Sequence, residues 1–356
     1  MRRLLALWVI FSATSVRADN SFVAKTQVYT DNDHTTVVSP LVALSRDSWK
    51  GGTLSASYVA DVVSSASVDV ISNATKHMDD FRSEITGGIS QKWRASTFSG
   101  SYIYSTEHDY SSHNISLGFA QDLFQRNTTL ALGYSLSLNS VGRTGDQAFN
   151  RSLTVNSVDV SWTQTFTPTL IGQLSYTFGA SNGYQASPYR FVRVETPDLT
   201  ATEFKVPETD PSDRYRSAFV VGLNKHIFKS SSIQGDYRFY FDTWGVAAHT
   251  VQLRYFVTFK DVTLRFRERL YYQDGASFFR THYTTAALHP YLTADRELST
   301  FLSNVIGVKV SWRLPWVHRA LAVEAKVDLF YFDYLNFALL SSRVGANTEL
   351  GLSVIY

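Results

Sequence analysis

Hydrophobic and polar positions alternate one by one along most of this chain. Between residues 130 and 138 every second residue is apolar, and the residues between them are small or polar. Residues 251–259 and 321–329 repeat the pattern with more charge at the polar positions. A period of two indicates β-strands, because successive side chains of a strand point to opposite faces. The chain is therefore predicted to be all-β.

The character of the two strand faces predicts the kind of sheet. A soluble sandwich would place charge on its outer faces and aliphatic residues in its core. Here the apolar face is crowded with aromatic residues near the strand ends, and the polar face is long and continuous. This pattern favours lipid outside and a hydrophilic lumen inside. We predict a transmembrane antiparallel up-and-down β-barrel of about 16 strands, with about 14 or 18 as alternatives.

The connections between the predicted strands alternate between two classes. The short ones lie at residues 125–126, 167–168, 229–230, 260–261 and 314–318, and the long ones at 62–81, 142–151, 183–214, 274–299 and 333–345. Outer-membrane barrels have short turns on the periplasmic rim and long loops outside the cell. The loop 183–214 is the segment most available to fold into the lumen, and an external flap is the alternative.

Aromatic residues are predicted to form two girdles where the barrel meets the lipid headgroups. The residues assigned to the short-turn rim are Trp49, Trp93, Phe124, Phe166, Phe228, Phe259, Trp312 and Trp316. Those assigned to the long-loop rim are Tyr29, Tyr58, Trp244, Tyr271 and Tyr272. One position does not fit this scheme: Glu268 falls on the lipid-facing side. Either a bulge reverses the local register or that strand protrudes from the bilayer.

The composition excludes several classes of protein. The 356 residues include no cysteine, so neither disulfides nor thiol chemistry are available. The formal net charge of +2 argues against a nucleic-acid partner. Beyond the first 18 residues no apolar run reaches the roughly 20 residues that a membrane helix needs.

Both ends of the chain carry features of an exported barrel. Arg2 and Arg3 precede an apolar run that ends near Ala18, so residues 1–18 are predicted to be a cleaved signal peptide. Residues 19–356 are then one outer-membrane barrel domain without a plug domain. The last residues resemble the signal read by the barrel assembly machinery, with Gly351, Val354 and a terminal Tyr356 at its key positions. The barrel is expected to be surrounded by outer-membrane lipid.

The predicted lumen has two dissimilar walls. The first half of the chain contributes small inward residues, such as Ser55, Ser101 and Gly133. The second half contributes the pore-lining candidates Arg238, Arg254, Arg265, Arg267, Arg269, Lys309, Glu324, Lys326 and Asp328. One interpretation is a mutually paired, hydrated wall. The other is that Arg265, Arg267 and Arg269 form a ladder that guides anionic solutes, since arginine keeps its charge and offers a planar fork to carboxylate or phosphate.

Histidines and carboxylates are concentrated at the predicted long-loop rim. Adjacent hairpins should bring together the metal-ligand candidates Asp31, Asp33, His34, His77, His108 and His113. Mixed imidazole and carboxylate groups are ligands for a transition metal or for Ca²⁺. A rim of solvated polar residues with no metal is the alternative, and no other cofactor is expected.

Three stretches resemble a bacterial family catalogued as domain-of-unknown-function family 3570. They are residues 29–40, 66–72 and 99–110. The resemblance implies an outer-membrane barrel without established catalytic residues. Members of that family tend to be encoded beside secreted redox and flavin-attachment proteins, so the resemblance also points to a periplasmic redox partner.

Two functional hypotheses follow. The first is a porin-like channel for small, anionic solutes. The second is a structural or docking barrel that serves a periplasmic redox or metal-handling system and binds metal at its extracellular rim. An enzyme is not expected, because no spacing of nucleophile, base and orienting group stands out.

Overall fold

A computed structural model describes residues 20–65, 78–195, 203–285, 289–317, 321–337 and 339–356. The predicted signal peptide, residues 1–18, lies outside the described residues. No described helix has the length and hydrophobicity needed to cross a membrane.

The described chain consists almost entirely of strands. They are β1 (Ser21–Asp31), β2 (Thr35–Trp49), β3 (Gly52–Ser65), β4 (Met78–Trp93), β5 (Ser96–Thr106), β6 (Tyr110–Leu123), β7 (Thr128–Arg143), β8 (Asp146–Thr167), β9 (Leu170–Gly183), β10 (Phe191–Glu195), β11 (Glu203–Pro207), β12 (Asp213–Phe228), β13 (Ser231–Asp242), β14 (Ala247–Phe259), β15 (Val262–Gln273), β16 (Tyr283–Thr284), β17 (Phe301–Arg313), β18 (Leu321–Tyr334) and β19 (Ser342–Ile355). Two short 3₁₀ turns, Phe124–Arg126 and Arg296–Leu298, accompany them.

Sixteen of these strands form one closed barrel. Each strand pairs antiparallel with its neighbours, and β1 pairs with β19 from Ser21↔Ile355 to Asp31↔Gly345 to close the ring. Closure pairs the backbone groups of every strand within the sheet, which is the condition for crossing a bilayer with strands. The predicted fold class and the count of about 16 strands are confirmed.

One predicted long loop is instead part of a hairpin. β7 continues to Arg143 and β8 already begins at Asp146, so the proposed loop 142–151 turns within two residues. Gly145 supplies the turn with a φ of 81°, and Arg143 Nη2 donates to Asp146 Oδ2 at 2.8 Å across it. Polar residues predominate on both faces of this hairpin, so it lacks the alternation by which the other strands were recognised.

The outer face carries the apolar residues. All eight aromatic residues assigned to the short-turn rim are exposed, as a lipid-facing girdle requires. The assignment at the opposite rim was wrong in three cases. Tyr29 and Tyr271 lie on the inward face, where they pack against Phe330 and Phe301, and Trp244 is buried under the long loops.

Glu268 lies on the lipid-facing side of a regular strand. The pairing of β15 with β14 and β17 runs through it without a register shift, so the alternative of a bulge is wrong. The Glu268 carboxylate accepts a hydrogen bond of 2.6 Å from Asn304 Nδ2 on β17. This neighbour supplies part of the solvation that lipid cannot provide.

Two long connections fold together over the long-loop mouth. They leave the barrel after β9 and after β15, and their strands form a small separate sheet in the order β11, β10, β16. Val192, Val194, Tyr283 and Leu292 are buried within it. A second apolar cluster, which includes Trp244, Phe278 and Phe301, packs these connections onto the barrel rim. We call residues 184–195, 203–212, 274–285 and 289–300 the cap.

Candidate functional site: the lumen and its capped mouth

The nine pore-lining candidates all lie on the inward face of the barrel. Each alternates along its strand with exposed apolar residues such as Leu253, Phe266 and Val327, which mark the outward face. The charged wall is formed by β12 to β15 and by β17 to β19, together with β1. The opposite wall carries many small side chains, among them Ser55, which remains exposed to the lumen, and it also holds the ion-paired residues Asp61, Arg82 and Glu84.

The part of the charged wall nearer the short turns consists of closely spaced ion pairs. Lys25 Nζ donates to Glu324 Oε2 at 2.7 Å, and Lys309 Nζ lies 3.0 Å from the other oxygen of the same carboxylate. Lys326 Nζ donates to Glu349 Oε2 at 3.0 Å, and Lys25 lies 3.4 Å from Glu349. We call these five residues the paired lattice. Because every charge in it touches an opposite one, the lattice corresponds to the interpretation of a mutually paired wall.

The predicted arginine ladder is only partly paired. Arg267 Nη1 donates to Asp328 Oδ2 at 3.1 Å, so the middle member has a carboxylate partner. Arg265 and Arg269 form no ion pair with any residue that the structure describes. Two guanidinium nitrogens of Arg265, Nε and Nη2, are buried and donate to no acceptor among the described residues. The ladder therefore presents two unneutralised positive charges to the lumen.

A second group of arginines lies directly beneath the cap. We call Arg214, Arg216, Arg238 and Arg269 the arginine cluster. Sequence reasoning missed Arg214 and Arg216, although their alternation with Tyr215 was the available signal. Arg214 Nε donates to Asp242 Oδ2 at 2.8 Å, and its guanidinium lies 4.1 Å from the ring centre of Trp244. Arg254, which lies closer to the short turns, is paired with Asp236.

The buried carboxylate of Glu208 joins the two long connections that form the cap. Glu208 Oε1 accepts hydrogen bonds from the backbone nitrogen of Ala294 at 2.8 Å and from the Thr293 hydroxyl at 3.1 Å. Arg190 lies 3.6 Å from Glu208 and also forms an ion pair with Asp295. Burial raises the pKa of Glu208, and Arg190 opposes that shift in part.

Burial also raises the pKa of a second acidic residue in the cap. Asp210 follows β11, and burial together with the nearby charge of Asp295 raises its pKa to about 7. Its Oδ1 atom is buried and has no hydrogen-bond partner among the described residues. Ionisation of this carboxyl therefore opposes the closed arrangement of the cap.

The cap is fastened to hairpins on both sides of the mouth. Arg296 Nη1 donates to Asp33 in the turn between β1 and β2, and both side chains are at most 1% exposed. We call this pair the latch. On the other side, the Tyr189 hydroxyl contacts Asp109 between β5 and β6 and accepts from the backbone nitrogen of Thr144 at 2.6 Å. These contacts draw the cap across the mouth.

The metal-ligand candidates do not converge in the described structure. Asp33 belongs to the latch, and Asp31 accepts hydrogen bonds from the backbone nitrogens of Asp33 and Thr35. His113 faces outward, where its Nδ1 lies 2.7 Å from the Tyr102 hydroxyl. The described residues contain no group of three or more potential ligands in a metal-binding arrangement.

Of the remaining metal candidates, one lies outside the described residues. His34 occupies the turn after β1 with a φ of 54°, and His108 is exposed in the turn after β5. His77 falls in the segment 66–77, which the structure does not describe. The expectation of a metal site at the extracellular rim therefore remains a prediction.

The candidate assembly signal lies in the strand that closes the ring. Gly351 pairs with Lys25, and a β-carbon at Gly351 would lie 2.8 Å from the Lys25 side chain. A larger residue there would push Lys25 away from Glu324, so this glycine also serves the paired lattice. Val354 pairs with Phe22, and the exposed Tyr356 donates its backbone hydrogen to Asn20. Recognition by the assembly machinery stays a prediction.

Comparison with known families agrees with the resemblance seen in the sequence. Residues 70–159 and 150–334 match the family described as "Protein of unknown function (DUF3570)". The chain belongs to this family. No protein of curated function matches the sequence.

Solved structures share the fold at very low sequence identity. A bacterial polysaccharide outer membrane secretin superposes with a TM-score of 0.56 and 7% identity, covering 96% of this chain and 99% of that one. CdiB from Acinetobacter baumannii gives the same TM-score and identity over 94% of this chain and 60% of its own. At such identity the likeness shows the fold alone, which is that of outer-membrane barrels.

Proposed function

We propose that this outer-membrane barrel is a non-enzymatic channel that favours small anionic solutes. The observation that carries the proposal is the pair of arginines, Arg265 and Arg269, that face the lumen without an ion-pair partner among the described residues. Unneutralised positive charge on the wall of a pore lowers the energy of an anion relative to a cation.

The shape of the lumen supports the same function. Barrels of about 16 strands are wide enough for an aqueous channel. The small-residue wall leaves space opposite the charged wall, as the exposed Ser55 shows. The cap narrows the long-loop mouth, so passage is expected for small solutes and not for polymers. Charges facing a low-dielectric wall also raise the local concentration of counter-ions.

Ion selectivity in a planar lipid bilayer tests this proposal. With a KCl gradient across the membrane, the wild-type reversal potential should indicate preference for chloride. The double variant Arg265→Gln/Arg269→Gln should lower the chloride-to-potassium permeability ratio about two- to fivefold, because it removes both unpaired charges. Arg126→Gln is a matched control, since Arg126 is an exposed residue of a short turn. Cation preference in the wild type, or equal ratios in both variants, would overturn the proposal.

The cap favours a second candidate function. A mouth fastened by a buried ion pair suits a closed barrel that acts as a docking platform for a periplasmic partner. Such a barrel should show no steady current, even after the latch is broken by Asp33→Asn. Steady current in that variant would exclude the closed barrel.

A further inference from the structure

A carboxylate lies within the lipid-facing surface of the barrel, away from both rims. Glu268 stands four positions along β15 from Tyr272, at the long-loop rim, and six positions from Val262, at the short-turn rim. At about 3.3 Å per residue these separations are roughly 13 Å and 20 Å along the strand. The residues that pair with Glu268 on either side, Leu253 and Ile306, are exposed and apolar. Glu268 is therefore placed in the hydrocarbon region of the bilayer.

The hydrogen bonding of this carboxylate is incomplete within one barrel. Asn304 Nδ2 on β17 donates to Glu268 Oε1 at 2.6 Å, and neither side chain forms another hydrogen bond with the residues that the structure describes. A carboxylate accepts at two oxygens, and an amide group has two N–H donors and a carbonyl acceptor. Hydrocarbon supplies no partner for the remaining groups, and a charged side chain at that depth is costly.

The arrangement of donor and acceptor is complementary to itself. Copies of an outer-membrane barrel insert with the same rim toward the periplasm, so a two-fold axis that relates two of them runs along the membrane normal. Glu268 and Asn304 lie on adjacent strands, within hydrogen-bond distance of each other. A two-fold axis that passes in front of the pair reverses their order in the second copy. Each carboxylate then lies opposite the amide of the other copy.

The surface around the pair is suited to close packing. Between the rims, the other outward side chains of β17 are exposed and aliphatic: Leu302, Ile306, Val308 and Val310. In lipid, association depends on packing and hydrogen bonds, because moving apolar surface from lipid tails to protein gains little free energy. The aliphatic row provides contact area, and the polar pair provides the hydrogen bonds.

We propose that the outward face of β15 and β17 is the interface of a symmetric homodimer, with Glu268 and Asn304 at its two-fold axis. Each carboxylate receives one amide hydrogen from its own barrel and one from the second copy. Dimerisation thus removes from lipid the groups that a single barrel leaves without partners. The interface is independent of whether the lumen conducts anions.

Disulfide crosslinking in outer membranes tests the interface, since the chain has no cysteine of its own. Ile306→Cys places one thiol on the outward face beside the pair, and a mild oxidant should join two copies into a species of twice the monomer mass. Ile115→Cys is the matched control, because Ile115 is also exposed and its strand, β6, lies eight strands away in the ring of 16. Heat-dependent migration on gels verifies that both variants are folded. No covalent dimer from folded Ile306→Cys, equal yields in the two variants, or a product of a different mass would overturn the homodimer.

The dimer dissociation constant, measured by sedimentation at several dilutions in detergent, tests the polar pair. Glu268→Leu removes both hydrogen bonds between the copies and should raise this constant about tenfold or more. Glu268→Gln keeps groups that bond to an amide and should retain most of the affinity. Asn156→Leu is the control, since Asn156 is another outward asparagine, on β8, and accepts from the Tyr134 hydroxyl at 2.8 Å. A monomeric wild type, or equal constants for Glu268→Leu and Asn156→Leu, would overturn the proposal.

Discussion

The two levels of the charged wall use basic and acidic residues in opposite ways. In the paired lattice, bases and acids from β1, β17, β18 and β19 alternate so closely that each charge touches its opposite. In the arginine cluster, four bases from β12, β13 and β15 outnumber the nearby carboxylates, and Asp242 is paired with Arg214. The comparison separates charge that stabilises the barrel by pairing from positive charge that exceeds the nearby negative charge.

The difference follows from how well water solvates each group of residues. The lattice lines the wall on the side of the short turns, where a partly solvated ion pair costs little to form. The arginine cluster lies under the cap, where unpaired charge is expensive and is retained only with compensation. If this is correct, changes to the lattice should affect stability, and changes at the cap and the cluster should affect access to the lumen and ion selectivity.

Breaking the latch should have the largest effect. Asp33→Asn removes the charge of the carboxylate that Arg296 Nη1 contacts in the latch, and loss of one partner of a buried pair costs about 3–5 kcal/mol. We expect the cap to detach from the β1–β2 turn and single-channel conductance to rise. Asp146→Asn is the matched control, because it breaks an ion pair of 2.8 Å that is exposed on another hairpin, where about 0–1 kcal/mol is at stake. Equal conductance in the two variants would contradict the role of the latch.

Removing a lattice carboxylate should have an intermediate effect, on stability. Glu324→Gln deprives both Lys25 and Lys309 of their shared partner. These side chains are 16–27% exposed. The substitution should therefore lower the unfolding free energy by about 1–3 kcal/mol, which is less than the loss of an ion pair fully shielded from water. Urea titration of the barrel in detergent measures it.

Arg269→Gln provides the contrast within the same wall. This substitution removes a charge that has no ion-pair partner among the described residues, so unfolding free energy should stay the same or rise. The division between lattice and cluster fails if Arg269→Gln destabilises the barrel as much as Glu324→Gln does.

The barrel itself could be predicted from the sequence because a strand repeats every two residues. Alternation identified the strands, their number and the inward position of residues as distant as Arg238 and Lys326. Alternation did not identify the hairpin around Gly145, because most residues on both of its faces are polar. It also placed Tyr29 and Tyr271 on the wrong face, because position near a rim was given more weight than parity.

The pairing of charges and the cap could not be predicted in this way. Lys25 meets Glu324 and Glu349 only because the first and last strands close the ring in one register, which periodicity does not fix. Arg190, Glu208 and Asp295 come together from loops that have no period at all. Asp33 was assigned to a metal site because its partner, Arg296, lies 263 positions away in the chain.

The smallest predicted effect is a pH response that belongs to the cap and not to the lattice. Folding of the cap raises the pKa of Asp210 from 3.8 to about 7, so the neutral carboxyl is favoured in the closed cap. The stabilisation is complete below about pH 4 and is lost as pH rises toward 7, so the cap should open more readily over that range. Over this whole range conductance should increase about two- to fivefold, well below the limit of tenfold per pH unit that one proton sets.

Asp210→Asn isolates this response, since the amide keeps a neutral side chain at every pH. We expect its conductance to change much less between pH 4.5 and pH 7 than that of the wild type, with the residual change coming from Glu208, whose pKa is also raised by burial. Glu324→Gln should retain the wild-type pH response, because the paired lattice takes no part in holding the cap. A flat wild-type profile, or the same slope in Asp210→Asn, would show that burial of this carboxyl does not control the mouth.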